Sequence, residues 1–293
     1  MGGAHAGPQF YGAGGCRRRL IRMLKKTLFT LQLLLTLLMC AFLLVPVGMS
    51  ILAGLSVNYF RGPSAGLTFK WVIQVWQDYH DAILNSLYVG AATLVLVTLL
   101  GVPAGYVLAR WRSRMARWIE ELLTLPIALP GLASALALIS VYGGMRGFRE
   151  SLAFIVVGHV IFTLPFMVRA VAAACADARI KLMEEGAASL GAGFLRRFTT
   201  VVLPNIRSEI VAAALIVVTL SLGEFNLTWM LHTPDTKTLP VGLADAYASL
   251  RLEIGSAYTA VFFVMIVPLL VVMQMTAQRA KVSNGKTSAR GRT

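Results

Sequence analysis

Charged side chains are scarce in this 293-residue chain, since Asp, Glu, Lys and Arg make up 14% of it and hydrophobic residues 57%. A soluble globular domain carries about a quarter charged residues, so the composition excludes that class. Acidic residues are the rarer charge type, with 13 against 27 basic ones, and the formal net charge is +14. We therefore interpret the chain as an integral membrane protein.

The residues that build covalent, metal or nucleotide sites are also few. Three cysteines occur without a Cys-x-x-Cys pair, and the four histidines are scattered, so neither a disulfide framework nor a metal site is expected. Gly285-Lys286-Thr287 has the ending of a phosphate-binding loop, but Ala280 stands where the first glycine is required. We predict that the chain holds no cofactor and is not an enzyme.

Five stretches without any charged residue are long enough, or nearly so, for the about 20 residues that a membrane-crossing helix needs. They are 27–60, 82–109, 122–145, 151–168 and 254–278. A sixth stretch, at about 209–232, contains Glu224 in its interior. Long apolar runs indicate helices and not barrel strands, because hydrocarbon forces each segment to satisfy its own backbone. We predict an all-α membrane protein with six transmembrane helices.

Basic residues are distributed unevenly between these spans. Of the 27 Lys and Arg residues, 21 lie in four alternate segments, namely 17–26, 110–117, 169–207 and 279–292. Because cytoplasmic segments carry an excess of Lys and Arg, we predict that both termini and 169–207 are cytoplasmic. The positive charge then sets topology and meets lipid headgroups, and it requires no nucleic-acid partner.

These boundaries predict four regions along the chain. Residues 1–26 are a basic cytoplasmic segment, and 27–80 are the first transmembrane helix with an extracytoplasmic loop. Residues 81–278 are a core of five transmembrane helices that includes a polar loop at 174–207. Residues 279–293 are a basic cytoplasmic tail.

The polar loop has a spaced pattern of its own. Ile180, Met183, Ala187 and Leu190 recur at helical spacing and predict one apolar stripe, and Gly191 stands where that helix would end. A charged, capped segment between membrane spans must face water, which favours a docking loop for a protein partner.

A second short helix can follow the glycine. It would run through Phe194, Phe198 and Val201 and end at Pro204, giving a helix-turn-helix elbow. The alternative is an amphipathic interfacial loop whose two phenylalanines rest among lipid headgroups.

The string EGAASLGAGFLRRFTTVVLP, from Glu185 to Pro204, resembles the EAA loop of permease subunits of ATP-binding-cassette importers. That family's pattern is Glu-Ala-Ala, three residues, Gly, nine residues, then Ile-x-Leu-Pro. This chain departs from the pattern at Gly186 and Val201. The strings LPIALPG and SLGEFNLTWML also resemble permeases of the polyamine, phosphonate, sulfate and ferric-ion branch.

The resemblance implies the fold and the partners of a type I importer in the bacterial inner membrane. The elbow would be a coupling helix between the fourth and fifth spans, and the ATPase would be contacted by Glu185, Ala187, Gly191, Leu203 and Pro204. ATP and Mg²⁺ would bind to a dimer of cytoplasmic ATPase subunits. A second permease subunit, identical or different, would complete the pathway. An extracytoplasmic binding protein would deliver a small charged solute, such as a polyamine, a phosphonate or an oxyanion.

Glu224 is the one acidic residue inside a predicted span. Placing a carboxylate there costs about 2.5–3.5 kcal/mol on insertion scales, so it should face the bundle interior or a wet pathway. We place Glu224 and Asn226 in the translocation pathway. The structural alternative is that Glu224 bonds a neighbouring helix, with His159, Asn226 or Thr228 as partner.

Two other classes of protein remain open on the sequence. A secondary, ion-coupled transporter would use Glu224 as the coupling acid, but such carriers usually show internal repeats, and no clear repeat is found. An intramembrane hydrolase would need a nucleophile and a base, for which Ser134 and His159 are the available pair, without a Gly-x-Ser-x-Gly context.

Small residues and prolines predict local features of two spans. Gly101 and Gly105 form a small-xxx-small pair around Pro103, which predicts close packing of the second span against another helix. Pro126 and Pro130 predict a kink in the third span.

Overall fold

A computed structural model describes residues 13–111 and 113–290 of the chain. The helices are α1 (Ala13–Gly54), α2 (Lys70–Arg110), α3 (Arg114–Ala128), α4 (Gly131–Tyr142), α5 (Arg146–Arg149), α6 (Leu152–Cys175), α7 (Ala178–Ser189), α8 (Phe194–Arg197), α9 (Leu203–Asn205), α10 (Arg207–Gly223), α11 (Asn226–Leu231), α12 (Leu239–Ala248) and α13 (Leu252–Arg290). A π-helical turn, Phe198–Val202, joins α8 to α9, and two short 3₁₀ turns occupy Gly62–Ala65 and Pro234–Thr236. The prediction of an all-α protein is confirmed.

The chain divides into one unit that ends at Leu52 and a second that begins at Ala53. Four helical segments are long and apolar enough to cross a membrane: Met23–Gly54, Lys70–Arg110, Leu152–Cys175 and Leu252–Met275. Two bent pairs would each add one span: Arg114–Pro126 with Gly131–Tyr142, at 103°, and Phe194–Asn205 with Arg207–Gly223, at 71°. The count of six transmembrane helices stays a prediction, as does the cytoplasmic placement of both termini.

Several helices extend beyond the predicted spans. Helix α2 begins at Lys70, twelve residues before the charge-free stretch, and is kinked at Tyr79, where φ is −138°. Helix α13 continues to Arg290, through most of the predicted tail. A charge-free window indicates where hydrocarbon can begin, whereas a helix continues into water as long as its backbone bonds are made.

The predicted kink in the third span is a complete break, and it occurs at one of the two prolines. Pro126 lies within α3, whereas Pro130 immediately precedes α4. Leu129 between the two helices is extended, with φ −86° and ψ 137°. The residue before a proline disfavours the α-helical conformation, so α3 ends before Leu129.

The glycine pair in the second span lies at a helix–helix contact, as predicted. A methyl group added at Gly105 would lie 2.6 Å from the Val168 carbonyl oxygen, and one added at Gly101 would lie 2.8 Å from the Met167 side chain. The backbones of α2 and α6 are therefore so close at these glycines that a side chain would not fit between them. The surrounding core contains Val97, Val102, Tyr106, Met167, Val171, Cys175, Ile180, Val202, Ile206, Ala213 and Val217.

Candidate functional site

The polar loop folds as a helix-turn-helix elbow. Helix α7 is capped at its start by the Asp177 carboxylate, which accepts from the Arg179 amide at 2.8 Å. At its other end the Gly191 amide donates to the Ala188 carbonyl and the Ala192 amide to the Ala187 carbonyl, at 2.9 and 3.0 Å. Gly191 has φ of 82°, in the left-handed region that glycine enters at little cost. The predicted turn is therefore present.

The second half of the elbow ends at Asn205, one residue after the predicted end at Pro204. Helix α8, the π-helical turn and α9 follow one another without a gap, and the chain then bends by 71° into α10. Pro204 does not itself end the segment, because α9 continues to Asn205 and the break falls at the buried Ile206. Proline suits the first turn of a helix, where its missing amide is not needed.

The predicted apolar stripe on α7 is wrong in part. Ile180 is buried, but Leu190 is 90% exposed. The buried residues of the helix are instead Ile180 and Glu184, four positions apart and thus on one face. Hydrophobic spacing predicts only apolar contacts, whereas this helix directs a carboxylate inward.

Glu184 is the most heavily bonded side chain of the elbow. Its Oε2 accepts from Arg110 Nε at 2.9 Å and lies 2.7 Å from Arg110 Nη2, and its Oε1 accepts from the Tyr106 hydroxyl. Arg110 Nη1 also donates to the Cys175 carbonyl at 2.8 Å. A second cation, Arg197, has its Nη1 4.0 Å from Glu184 Oε1. The last residues of α2 and α6 thus meet the middle of α7.

Aromatic rings pack the elbow onto the same end of α2. The Tyr106 ring lies 5.0 Å from that of Phe198 and 5.8 Å from that of Phe194, between centroids. The Arg110 guanidinium lies 5.5 Å from the Tyr106 centroid. Sequence reasoning missed Tyr106, Arg110 and Glu184, and the available signal was the i, i+4 spacing of Glu184 from Ile180.

Glu185, the next residue of α7, is exposed. Its side chain is 59% exposed and pairs only loosely with Lys181, at 3.6 Å across one helical turn. Large apolar side chains are exposed around this end of the elbow: Leu182, Leu190, Phe194 and Leu195. We call Glu185 and these four residues the outer face.

The remaining residues predicted to contact an ATPase are distributed differently. Gly191 and Pro204 are exposed, whereas Ala187 and Leu203 are half-buried. Leu203 packs against the core beneath the elbow. These two residues therefore contribute to the support of the outer face more than to its surface.

The predicted fifth span is interrupted at Glu224. Helix α10 ends at Gly223, and the short helix α11 begins at Asn226. The Glu224 carboxylate accepts from the Leu227 amide at 2.8 Å, so it caps α11. A methyl group added at Gly131, at the start of α4, would lie 3.2 Å from Glu224 Oε1. Glu224 is half-buried and Asn226 exposed, and the breaks in the third and fifth spans meet here.

His159 is not a partner of the Glu224 carboxylate. Its Nδ1 bonds the Ser221 hydroxyl and its Nε2 the Thr228 hydroxyl, each at 2.8 Å, and the ring is buried. Thr228 in turn donates to the Glu224 backbone carbonyl at 3.2 Å. Both ring nitrogens are engaged, which leaves neither free to activate Ser134 as a hydrolase would require.

Comparison with known proteins gives the family. Residues 101–282 match the family model described as the binding-protein-dependent transport system inner membrane component. The chain therefore belongs to this family. It is an ABC importer permease of the inner membrane, and the hypotheses of an ion-coupled carrier and of a hydrolase are set aside.

Individual relatives cover most of the chain. The molybdenum transport system permease protein ModB of Mycobacterium tuberculosis is 29% identical over 222 residues, which are 71% of this chain and 83% of the relative. The putative 2-aminoethylphosphonate transport system permease protein PhnV of Salmonella paratyphi A is 25% identical over 240 residues, 81% and 90% of the two chains.

A solved structure shows the same fold. In a bacterial alginate ABC transporter in complex with an alginate pentasaccharide-bound periplasmic protein, one chain has a TM-score of 0.67 at 14% identity. The match covers 88% of this chain and 96% of that chain.

Proposed function

We propose that this chain couples a dimer of cytoplasmic ATPase subunits to the import of a small charged solute, with the elbow at 174–207 as the docking element. The observation that carries the proposal is the outer face, where an exposed carboxylate stands among large exposed apolar side chains. Four large apolar side chains exposed within fourteen residues of a water-facing segment favour an interaction surface. Because the elbow lies within the basic segment 169–207, the partner is expected on the cytoplasmic side.

The two glutamates of α7 have separate roles in this proposal. Glu184 is satisfied inside the protein, so Glu185 is the carboxylate that is available to an ATPase cation. Gly191 turns the chain so that Glu185 and the exposed Leu190 and Phe194 reach the same partner. Ala187, Leu203 and Pro204 complete and support this contact.

The solute is proposed from relatives that handle small charged species. Molybdenum and 2-aminoethylphosphonate appear in the names of ModB and PhnV. Glu224 and Asn226 would line the pathway, because they lie at the break between α10 and α11 and beside Gly131 at the start of α4, and because Glu224 is half-buried and Asn226 exposed. A second permease subunit would form the other half of the pathway, and an extracytoplasmic binding protein would deliver the solute.

The test measures binding of the cognate ATPase subunit to the purified permease in detergent. Glu185→Ala should weaken binding by about 30-fold or more, because losing one partner of a buried interfacial charge pair costs about 2–5 kcal/mol. Lys181→Ala is the matched control, since it removes the same pair within α7 but leaves the Glu185 carboxylate. Equal affinities for wild type and Glu185→Ala would refute the docking assignment.

A further inference from the structure

Glu184 forms a cluster with Tyr106, Arg110 and Arg197, which we call the Glu184 cluster. Docking of an ATPase does not by itself require these contacts. The Glu184 carboxylate is 9% exposed, and both of its oxygens are engaged by side chains from α2. A residue that contacted the ATPase would need an exposed carboxylate, as Glu185 has. Glu184 therefore acts within the permease.

The cluster joins four elements at one point. Tyr106 and Arg110 come from the last turns of α2, Glu184 from α7 and Arg197 from α8, while Arg110 also holds the Cys175 carbonyl at the end of α6. The joined helices α2 and α6 are two of the candidate membrane spans. The elbow and these spans are thus tied by a charged pair, not by apolar packing alone.

A charged pair in a buried site resists separation. Pulling Glu184 away from Arg110 would leave two uncompensated charges with little access to water, which is strongly unfavourable. Hydrogen bonds to the Tyr106 hydroxyl and the Cys175 carbonyl also fix the direction of the pair. The pair therefore connects α7 rigidly to α2, so that a displacement of α7 also moves the end of α2.

We propose that Glu184 is the positioning residue through which movement of the elbow reaches the membrane spans, with Arg110 as its partner on α2. Arg197 is a second cation that can pair with Glu184. Its Nε is buried without a hydrogen-bond partner among the described residues, and its Nη1 is already 4.0 Å from Glu184. The proposal rests on the proposed docking function, but it concerns transmission and not binding.

The experiment uses the full complex of permease, ATPase and binding protein in proteoliposomes. The quantity measured is solute transported per ATP hydrolysed, for Glu184→Gln, Arg110→Gln and the double variant. Each single variant should lower this ratio by about tenfold, while ATPase affinity stays at the wild-type value. The double variant should be no worse than the singles, because both remove one connection. Glu120→Gln, at an exposed site, is the matched control.

Several outcomes would overturn the proposal. These are an unchanged ratio, effects that multiply in the double variant, or a loss of ATPase binding as large as that of Glu185→Ala. If the charge variants do not assemble, Tyr106→Phe decides, because it removes one hydrogen bond and keeps the ring that packs on Phe198. An unchanged ratio for Tyr106→Phe then refutes the proposal. A failure of docking appears separately, as unchanged ATPase affinity in Glu185→Ala.

Discussion

Glu184 and Glu185 are adjacent in the sequence and about 100° apart around α7, yet one carboxylate is buried and the other is exposed. The first is 9% exposed and bound by Arg110, and the second is 59% exposed with only a loose pair to Lys181. This arrangement assigns one acid to the inside of the permease and leaves the other for a partner. We propose that coupling between an ATPase and the membrane spans depends on that division.

Reporter fusions test the topology. Because 21 of the 27 cations lie in alternate segments, fusions after Ser113, Lys181 and Thr287 should report cytoplasm, and fusions after Ala65 and Asp245 the other side. A periplasmic signal at Lys181 would contradict the docking proposal, since an ATPase could not reach the elbow.

Gly191 tests the turn. A β-branched residue is strained at φ of 82°, at a cost of about 1–2 kcal/mol, so Gly191→Val should lower uptake sharply in cells while membrane insertion stays normal. Asn tolerates this conformation, and Gly191→Asn should keep most of the uptake. Equal uptake by the Val and Asn variants would show that the left-handed turn is not required.

Glu224→Gln tests the pathway. The amide oxygen of glutamine can still accept from the Leu227 amide, so the helix break should persist while the charge is lost. We expect transport to fall by about tenfold, equivalent to a barrier higher by about 1.4 kcal/mol, with an assembled complex and normal basal ATPase activity. Loss of assembly would instead assign Glu224 a structural role.

The glycine pair of α2 tests helix packing. Gly105→Ala should lower the unfolding temperature in detergent more than Gly101→Ala, because its methyl group meets the Val168 backbone carbonyl oxygen at 2.6 Å, whereas that of Gly101→Ala meets side-chain atoms of Met167 at 2.8 Å. Overpacking of this kind costs about 1–3 kcal/mol. At the exposed Gly147 an added methyl group meets no atom within 4 Å, so Gly147→Ala is the control. The reverse order of the Gly105 and Gly101 variants would contradict this packing of α2 on α6.

Much of the fold could be predicted from the sequence, because hydrocarbon permits few solutions. Apolar runs locate the spans, and Gly191 marks its turn, since both follow from backbone requirements that are local. The break at Pro130 could be anticipated as a kink, but its size could not. The start of α4 lies beside Glu224, whose Oε1 would be 3.2 Å from a methyl group at Gly131, and this neighbour is more than ninety positions away in the sequence.

The interior of the site was harder to predict. The EAA-like pattern begins at Glu185, and it carries no information about the role of Glu184, which precedes it. That role is set by Arg110 and Tyr106, at the end of a helix more than seventy residues earlier. His159 likewise bonds Ser221 and Thr228 on separate helices, a pairing that only the packing of α6, α10 and α11 determines.

Docking requires that the outer face of the elbow contact the ATPase. The most direct measurement replaces Leu190, 90% exposed, by a photo-cross-linking amino acid in the assembled complex. Illumination should give a covalent product of this chain with the ATPase subunit. The same replacement at Val264, 74% exposed within a predicted span, should not. Absence of the ATPase product from position 190, with assembly intact, would contradict docking through the outer face.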